Sequence, residues 1–151
     1  MKDVLKAVAS VLLLINSIGA IFGGCILIDH PDGSSLVLSL DWLKHSPFHD
    51  YLIPGIILFI TNGLFGFAVL AIMFFGFRKY ALFIIAQGAI LIGWLVIQVV
   101  MIQTLIGLHV FTFTIGLLLV LIGWMLNKMD QAEMKKSKVK FKGTGIYTPF
   151  I

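Results

Sequence analysis

Asp41, His45, His49 and Asp50 stand at spacings that suit metal or acid–base chemistry, within the polar stretch DHPDGSSLVLSLDWLKHSPFHDYLIP (residues 29–54). Asp29, His30 and Asp32 lie in the same stretch, which holds three of the four histidines and four of the seven acids. Two histidines four positions apart share a helix face and, with a carboxylate as third ligand, would hold a divalent ion such as zinc. Pro47 stands between them and favours a helix start, which leaves His45 outside the helix that carries His49. No glutamate is placed as in an H-E-x-x-H site. The sequence therefore assigns no resident metal, with Asp41, His45 and His49 as the only candidate ligands. A solvated loop facing lipid headgroups is the expected role of this stretch, and binding of an external partner or a headgroup is the next.

Gln98, Gln103 and His109 form a second candidate group. They fall toward the same end of the third and fourth apolar runs, where they would line a shallow cavity beneath the polar loop. An ionisable residue at membrane depth calls for a functional hypothesis, and a structural hydrogen bond from His109 is the alternative. The expected ligand-contacting set is thus His30, His45, His49, Asp50, Gln98, Gln103 and His109.

No catalytic residue is assigned. No serine or cysteine has an evident His/acid partner, and no phosphate-binding glycine loop appears. Paired intramembrane histidines for haem are missing, since His109 alone lies near a span, and no cofactor is expected. No Asp, Glu, Lys or Arg falls at hydrocarbon depth, whereas the four-helix small multidrug exporters depend on such a glutamate.

The elements that must position these residues are membrane helices. The chain is 60% hydrophobic and 12% charged, with a mean hydropathy of +1.06, against about 25% charged in ordinary soluble domains. Its apolar runs exceed the ~18 residues that mark a bilayer span. Lipid cannot satisfy an open strand, and the runs lack alternating polarity, so the spans should be helices. The expected fold is all-α, an integral membrane four-helix bundle with spans at about 7–28, 51–77, 80–102 and 106–127. From Tyr80 to Asn127 no residue carries a formal charge. As helix that run is roughly 70 Å long, enough to cross a core of about 30 Å twice. Gln103 and Gly107 mark the turn between the two crossings.

Packing signals recur in the runs. Asn16, Gly19 and Gly23 share a face of the first, and Gly19-x-x-x-Gly23 and Ala20-x-x-x-Gly24 allow close helix approach. Asn62, Gly63 and Gly66 repeat the small-plus-amide pattern in the second, Gln87 is expected to pair with a neighbouring helix, and Thr112, Gly116 and Gly123 follow one face of the fourth. Ser46 and Pro47 suit the cap and first position of a helix. The Leu-Ile-Gly-Trp repeat ending at Trp94 and Trp124 is read as packing or coincidence. Cys25, the single cysteine, excludes an intramolecular disulfide. Phe22-Gly-Gly-Cys25 has the outline of a lipoprotein cleavage box, yet the hydrophobic run continues past it, and a buried, inert cysteine is expected.

Four spans put both termini on one side with ten of the eleven Lys and Arg residues, leaving Lys44 alone opposite. The positive-inside rule then predicts an inner (cytoplasmic) membrane protein with cytoplasmic termini and an extracytoplasmic loop at 29–50. The basic tail, 128–151, carries Lys135, Lys136, Lys138, Lys140 and Lys142, which suit contact with an anionic leaflet as well as simple orientation. It is expected to be mobile or laid on the surface. The expected partners are the lipid bilayer and either further membrane subunits or a second copy of the chain. The sequence pI of 9.3 does not imply nucleic acid, because the basic residues flank hydrophobic runs.

The motifs PDGS (31–34) and SPFHDYLIPG (46–55), with Trp94 and Gln98, resemble a group of small four-helix bacterial membrane proteins with no assigned activity. The architecture is also similar to that of DoxX-like four-helix proteins. These resemblances imply the bundle and no particular reaction. The expected function is a non-enzymatic accessory or a lipid- or small-molecule-binding membrane module. The alternatives are a membrane oxidoreductase or hydrolase using the His/Asp cluster, and a small transporter or channel component.

Overall fold

A computed structural model of the chain describes residues 1–44, 46–103 and 107–143, the side chains of 138–143 excepted. Among these residues four helices are each long and apolar enough to cross a membrane, and no strand occurs. They are α1 (Lys2–Asp29), α2 (Leu52–Phe74), α3 (Tyr80–Ile102) and α4 (Gly107–Gly143). The architecture is that of a multi-pass helical membrane protein.

Small residues set the pairings. On α1, Ala20 and Gly24 are buried against α2, where a Cβ on Gly24 would stand 2.8 Å from the Phe59 Cβ and 3.0 Å from the Gly55 carbonyl. Gly19, expected on this seam, faces away with nothing within 4 Å. The working motif is therefore Ala20-x-x-x-Gly24, one residue round the helix. The α3–α4 pair closes on Gly88, Gly116 and Gly123, and a Cβ on Gly88 would fall 2.6 Å from the Gly116 carbonyl. Thr112 is not part of that seam; its hydroxyl donates to the Leu108 carbonyl of its own helix. Helix α1 also packs on α4, and α2 on α3, which closes a ring of four antiparallel neighbours. Leu13, Val69, Ile84, Leu119 and Leu126 fill the centre with 0% exposure each. The outward surface is apolar too, with Val11, Ile18, Phe22, Val96, Val100 and Phe111 all more than half exposed. Such a surface would be an aggregation patch in water and is the ordinary solvent-facing surface in lipid.

Residues 29–51 cap one end of the ring, the loop end. The chain start, residues 75–79 and the extension of α4 gather at the other, the lysine end. Helix α2 stops at Phe74 rather than 77. Gly76 takes a left-handed conformation (φ 69°), its N–H donates to Met73 (3.2 Å), and Phe77 N–H reaches Ile72 (3.3 Å). This is a glycine-terminated helix end that satisfies the last carbonyls. Helix α3 ends at Ile102, and Gln103 (φ 56°) donates its N–H to Val99, so the turn falls where its polar residues indicate.

The tail departs from expectation. The fourth helix does not end at Asn127 but runs on to Gly143. Residues 128–142 are rich in Lys, Met, Glu, Gln and Ala, which favour helix. Asp130 and Glu133, one turn apart, both grip the Lys2 ammonium of α1, at 2.6 and 2.7 Å.

Candidate functional site

The loop is built around Tyr51, which is only 4% exposed. Its N–H donates to the Pro31 carbonyl (2.8 Å) and its hydroxyl to the Ser39 carbonyl (2.7 Å). Gly33 (φ 78°) lets the turn fold against the ring, since a Cβ there would stand 2.9 Å from the Tyr51 Cε2. Tyr51 and Leu43 pack with Leu27 of α1 and Met101 of α3, laying the loop across the bundle mouth. Burial pushes the Tyr51 phenol pKa up. Asp32 accepts from the Ser34 hydroxyl (2.8 Å) and N–H (3.2 Å), and those bonds hold its carboxyl below the usual carboxylate range. Helix α2 starts at Leu52, not at Pro47. Asp50 accepts the Leu52 N–H (3.0 Å), while Ser46 bonds within its own turn to Leu43 and Phe48.

The acids of the loop are engaged one by one, each with a different group. His30 Nε2 lies 3.3 Å from an Asp29 carboxylate oxygen, Asp41 pairs with Lys44 at 2.9 Å, and Asp50 serves α2. His49 is exposed, and His45 lies outside the described residues. Among the described residues no three His, Cys, Asp or Glu side chains come close enough to hold a metal ion.

Of the second group, His109 is buried in one wall of a cleft of about 310 Å³ between α3 and α4. The other walls are Leu95, Val96, Val99, Val100, Val110 and Phe113. Gln98 and Gln103 are not among them: Gln98 is half-buried, and Gln103 turns its amide onto the Val100 carbonyl (2.6 Å). The cleft is thus aliphatic, and of the three residues expected to line a cavity only His109 belongs to it. Gln103 lies elsewhere because its left-handed backbone conformation goes with a side chain turned back onto α3. At the lysine end Lys135 and Lys136 are exposed, while the side chains of Lys138, Lys140 and Lys142 lie outside the described set.

A larger groove, about 560 Å³, runs along α1 at the loop end. Phe22, Cys25 and Ile26 line its membrane portion, and Asp29, His30 and Ser35 its rim. Cys25 is therefore exposed rather than buried, because it shares the outward face with Phe22 while Gly24 takes the seam. Positions 22, 25, 26 and 29 follow the i, i+3, i+4, i+7 pattern of one helix face. That pattern was present in the sequence, but only the closure of Ser35 over it makes a groove.

The bundle centre holds a polar cluster in which Gln87 pairs with a neighbouring helix, as the sequence leads one to expect, and Asn62 is its partner. Helix α2 widens into a π turn at Phe59–Leu64. There Asn62 presents its carbonyl to the Asn16 amide of α1 (3.3 Å) and its side-chain oxygen to the Gln87 amide of α3 (3.3 Å). The Asn62 amide donates to Thr61 Oγ1 (3.1 Å), and the Thr61 hydroxyl donates to the Ile57 carbonyl (2.8 Å). A π turn redirects backbone acceptors that an α-helix would use internally, and here side chains from two helices meet them. Ser17 Oγ lies in the notch left by the missing side chain of Gly66, and neither it nor Gln87 Oε1 has a hydrogen-bond partner among the described residues. The two Leu-Ile-Gly-Trp copies share no environment: Trp94 is buried, whereas Trp124 is exposed beneath the Lys128 ammonium, 4.8 Å from the ring centre.

Comparison with protein-family models, curated proteins and solved structures finds no match.

Proposed function

We propose that the protein is a non-catalytic membrane module that holds an amphiphile in the α1 groove, in the inner (cytoplasmic) membrane. Both termini lie in the cytoplasm, and the loop lies on the extracytoplasmic side. The groove carries this reading. Its wall passes from Phe22 and Ile26 to Asp29, His30 and Ser35 within two helical turns, matching a molecule with an apolar tail and a polar head. Separate engagement of Asp29, Asp41 and Asp50 supports a binding role over acid–base chemistry. The packing of the bundle centre, aliphatic around one hydrogen-bonded amide cluster, supports a module rather than a pore. The charge asymmetry between the two ends supports the orientation, and the exposed Lys135 and Lys136 suit contact with an anionic leaflet.

The lone cysteine offers a direct test. A photoactivatable maleimide attached to Cys25 in membranes is expected to give lipid adducts on irradiation. Adducts confined to a second polypeptide would replace this reading with that of an accessory subunit. Reporter fusions at the carboxyl end and within the loop are expected to report opposite sides of the membrane.

A further inference from the structure

We infer that the amphiphile is a phospholipid whose headgroup carries an ammonium, of the phosphatidylethanolamine kind; this rests on the groove being an amphiphile site. The loop end is acidic, with Asp29, Asp32, Asp41 and Asp50 against the single ammonium of Lys44. Lys44 is taken up by Asp41. At the groove itself the charged group is the Asp29 carboxylate, whose side chain is 82% exposed, with the His30 imidazole 3.3 Å away and the Ser35 hydroxyl across the rim.

An anionic headgroup entering here would set its phosphate beside that carboxylate with no lysine or arginine in the lining. A zwitterionic headgroup supplies the missing cation. Its ammonium takes Asp29 in place of the His30 imidazole, whose N–H is thereby freed to donate, with the Ser35 hydroxyl, to the phosphate. One acyl chain then follows the face from Asp29 to Phe22, about 10 Å down the helix, where the outward-facing, 67% exposed Phe22 ring forms the floor. The lysine end has the opposite balance, so the preference belongs to one leaflet and one groove.

The test places the full chain in nanodiscs of equimolar phosphatidylethanolamine and phosphatidylglycerol and reads the retained lipid by native mass spectrometry after mild release. The expected result is enrichment of phosphatidylethanolamine by about fivefold, the ratio that one interfacial charge contact supplies. Asp29→Asn is expected to remove that enrichment, while Asp41→Asn, outside the groove, is expected to keep it. Equal retention of both lipids, or equal effects of the two substitutions, would overturn the headgroup assignment and leave the amphiphile site standing. Retention of no lipid would remove both.

Discussion

Asn62 is the residue on which three helices agree. Its side chain and carbonyl join α1, α2 and α3 at a depth where no water competes, and membrane hydrogen bonds of this kind contribute on average about 0.6 kcal/mol. Asn62→Leu is expected to lower unfolding stability in mixed micelles by about 1 kcal/mol. A double-mutant cycle with Gln87→Leu should recover a coupling of similar size; a coupling of zero would mean that the two side chains do not interact. Gly66 makes a sharper case, because a methyl group there would overlap the Ser17 hydroxyl. Gly66→Ala should cost about 1–3 kcal/mol by overpacking, and Ser17→Gly added to it should restore most of the loss. An unchanged melting temperature in Gly66→Ala would refute the packing described. Each of these residues was visible in the sequence as an amide or small residue in a hydrocarbon run. Their convergence was not, since it depends on the π turn, which no local pattern announces.

At the scale of elements, the number of spans and the two short turns were legible, because length, hydropathy and turn residues such as Gln103 and Gly107 dictate them. The seam on α1 was half legible. Two overlapping small-residue motifs differ by one position, a rotation of about 100°, and only packing against Gly55 and Phe59 selects Gly24 over Gly23. The helical continuation past Asn127 was not legible, because hydropathy marks where the membrane ends, not where a helix ends. Its continuation is pinned by Lys2, so Lys2→Met is expected to speed amide hydrogen exchange over residues 130–137. The loss in stability should stay under about 1 kcal/mol, as for other partly exposed ion pairs. Unchanged exchange would show that the extension holds itself.

The loop carries a pH signature. The Asp32 carboxyl is held down by Ser34, so its folded pKa lies below its unfolded one and the turn's contribution is present above the ordinary carboxylate range. It is lost as the pH falls through the depressed value. The Ser34 amide resonance should therefore titrate below the ordinary carboxylate range, and in Asp32-bearing Ser34→Ala protein the Asp32 midpoint should move upward. A midpoint that stays put would show that the hydrogen bonds are not the cause.

As a whole molecule, the protein is apolar inside and out, with its polar chemistry divided between a closed amide knot at mid-depth, an acidic cap and a basic base. Among the described residues, aliphatic side chains between glycine seams fill the core around the amide knot. On the proposed reading, the outward groove on α1 is the place where something other than bulk lipid is distinguished. The most direct measurement is a structure of the full chain in a lipid nanodisc at a resolution that shows individual acyl chains. Elongated density is expected along Phe22, Cys25 and Ile26, with its head between Asp29, His30 and Ser35. A partner helix or a second copy covering that face, or lipid ordered everywhere except in the groove, would contradict it.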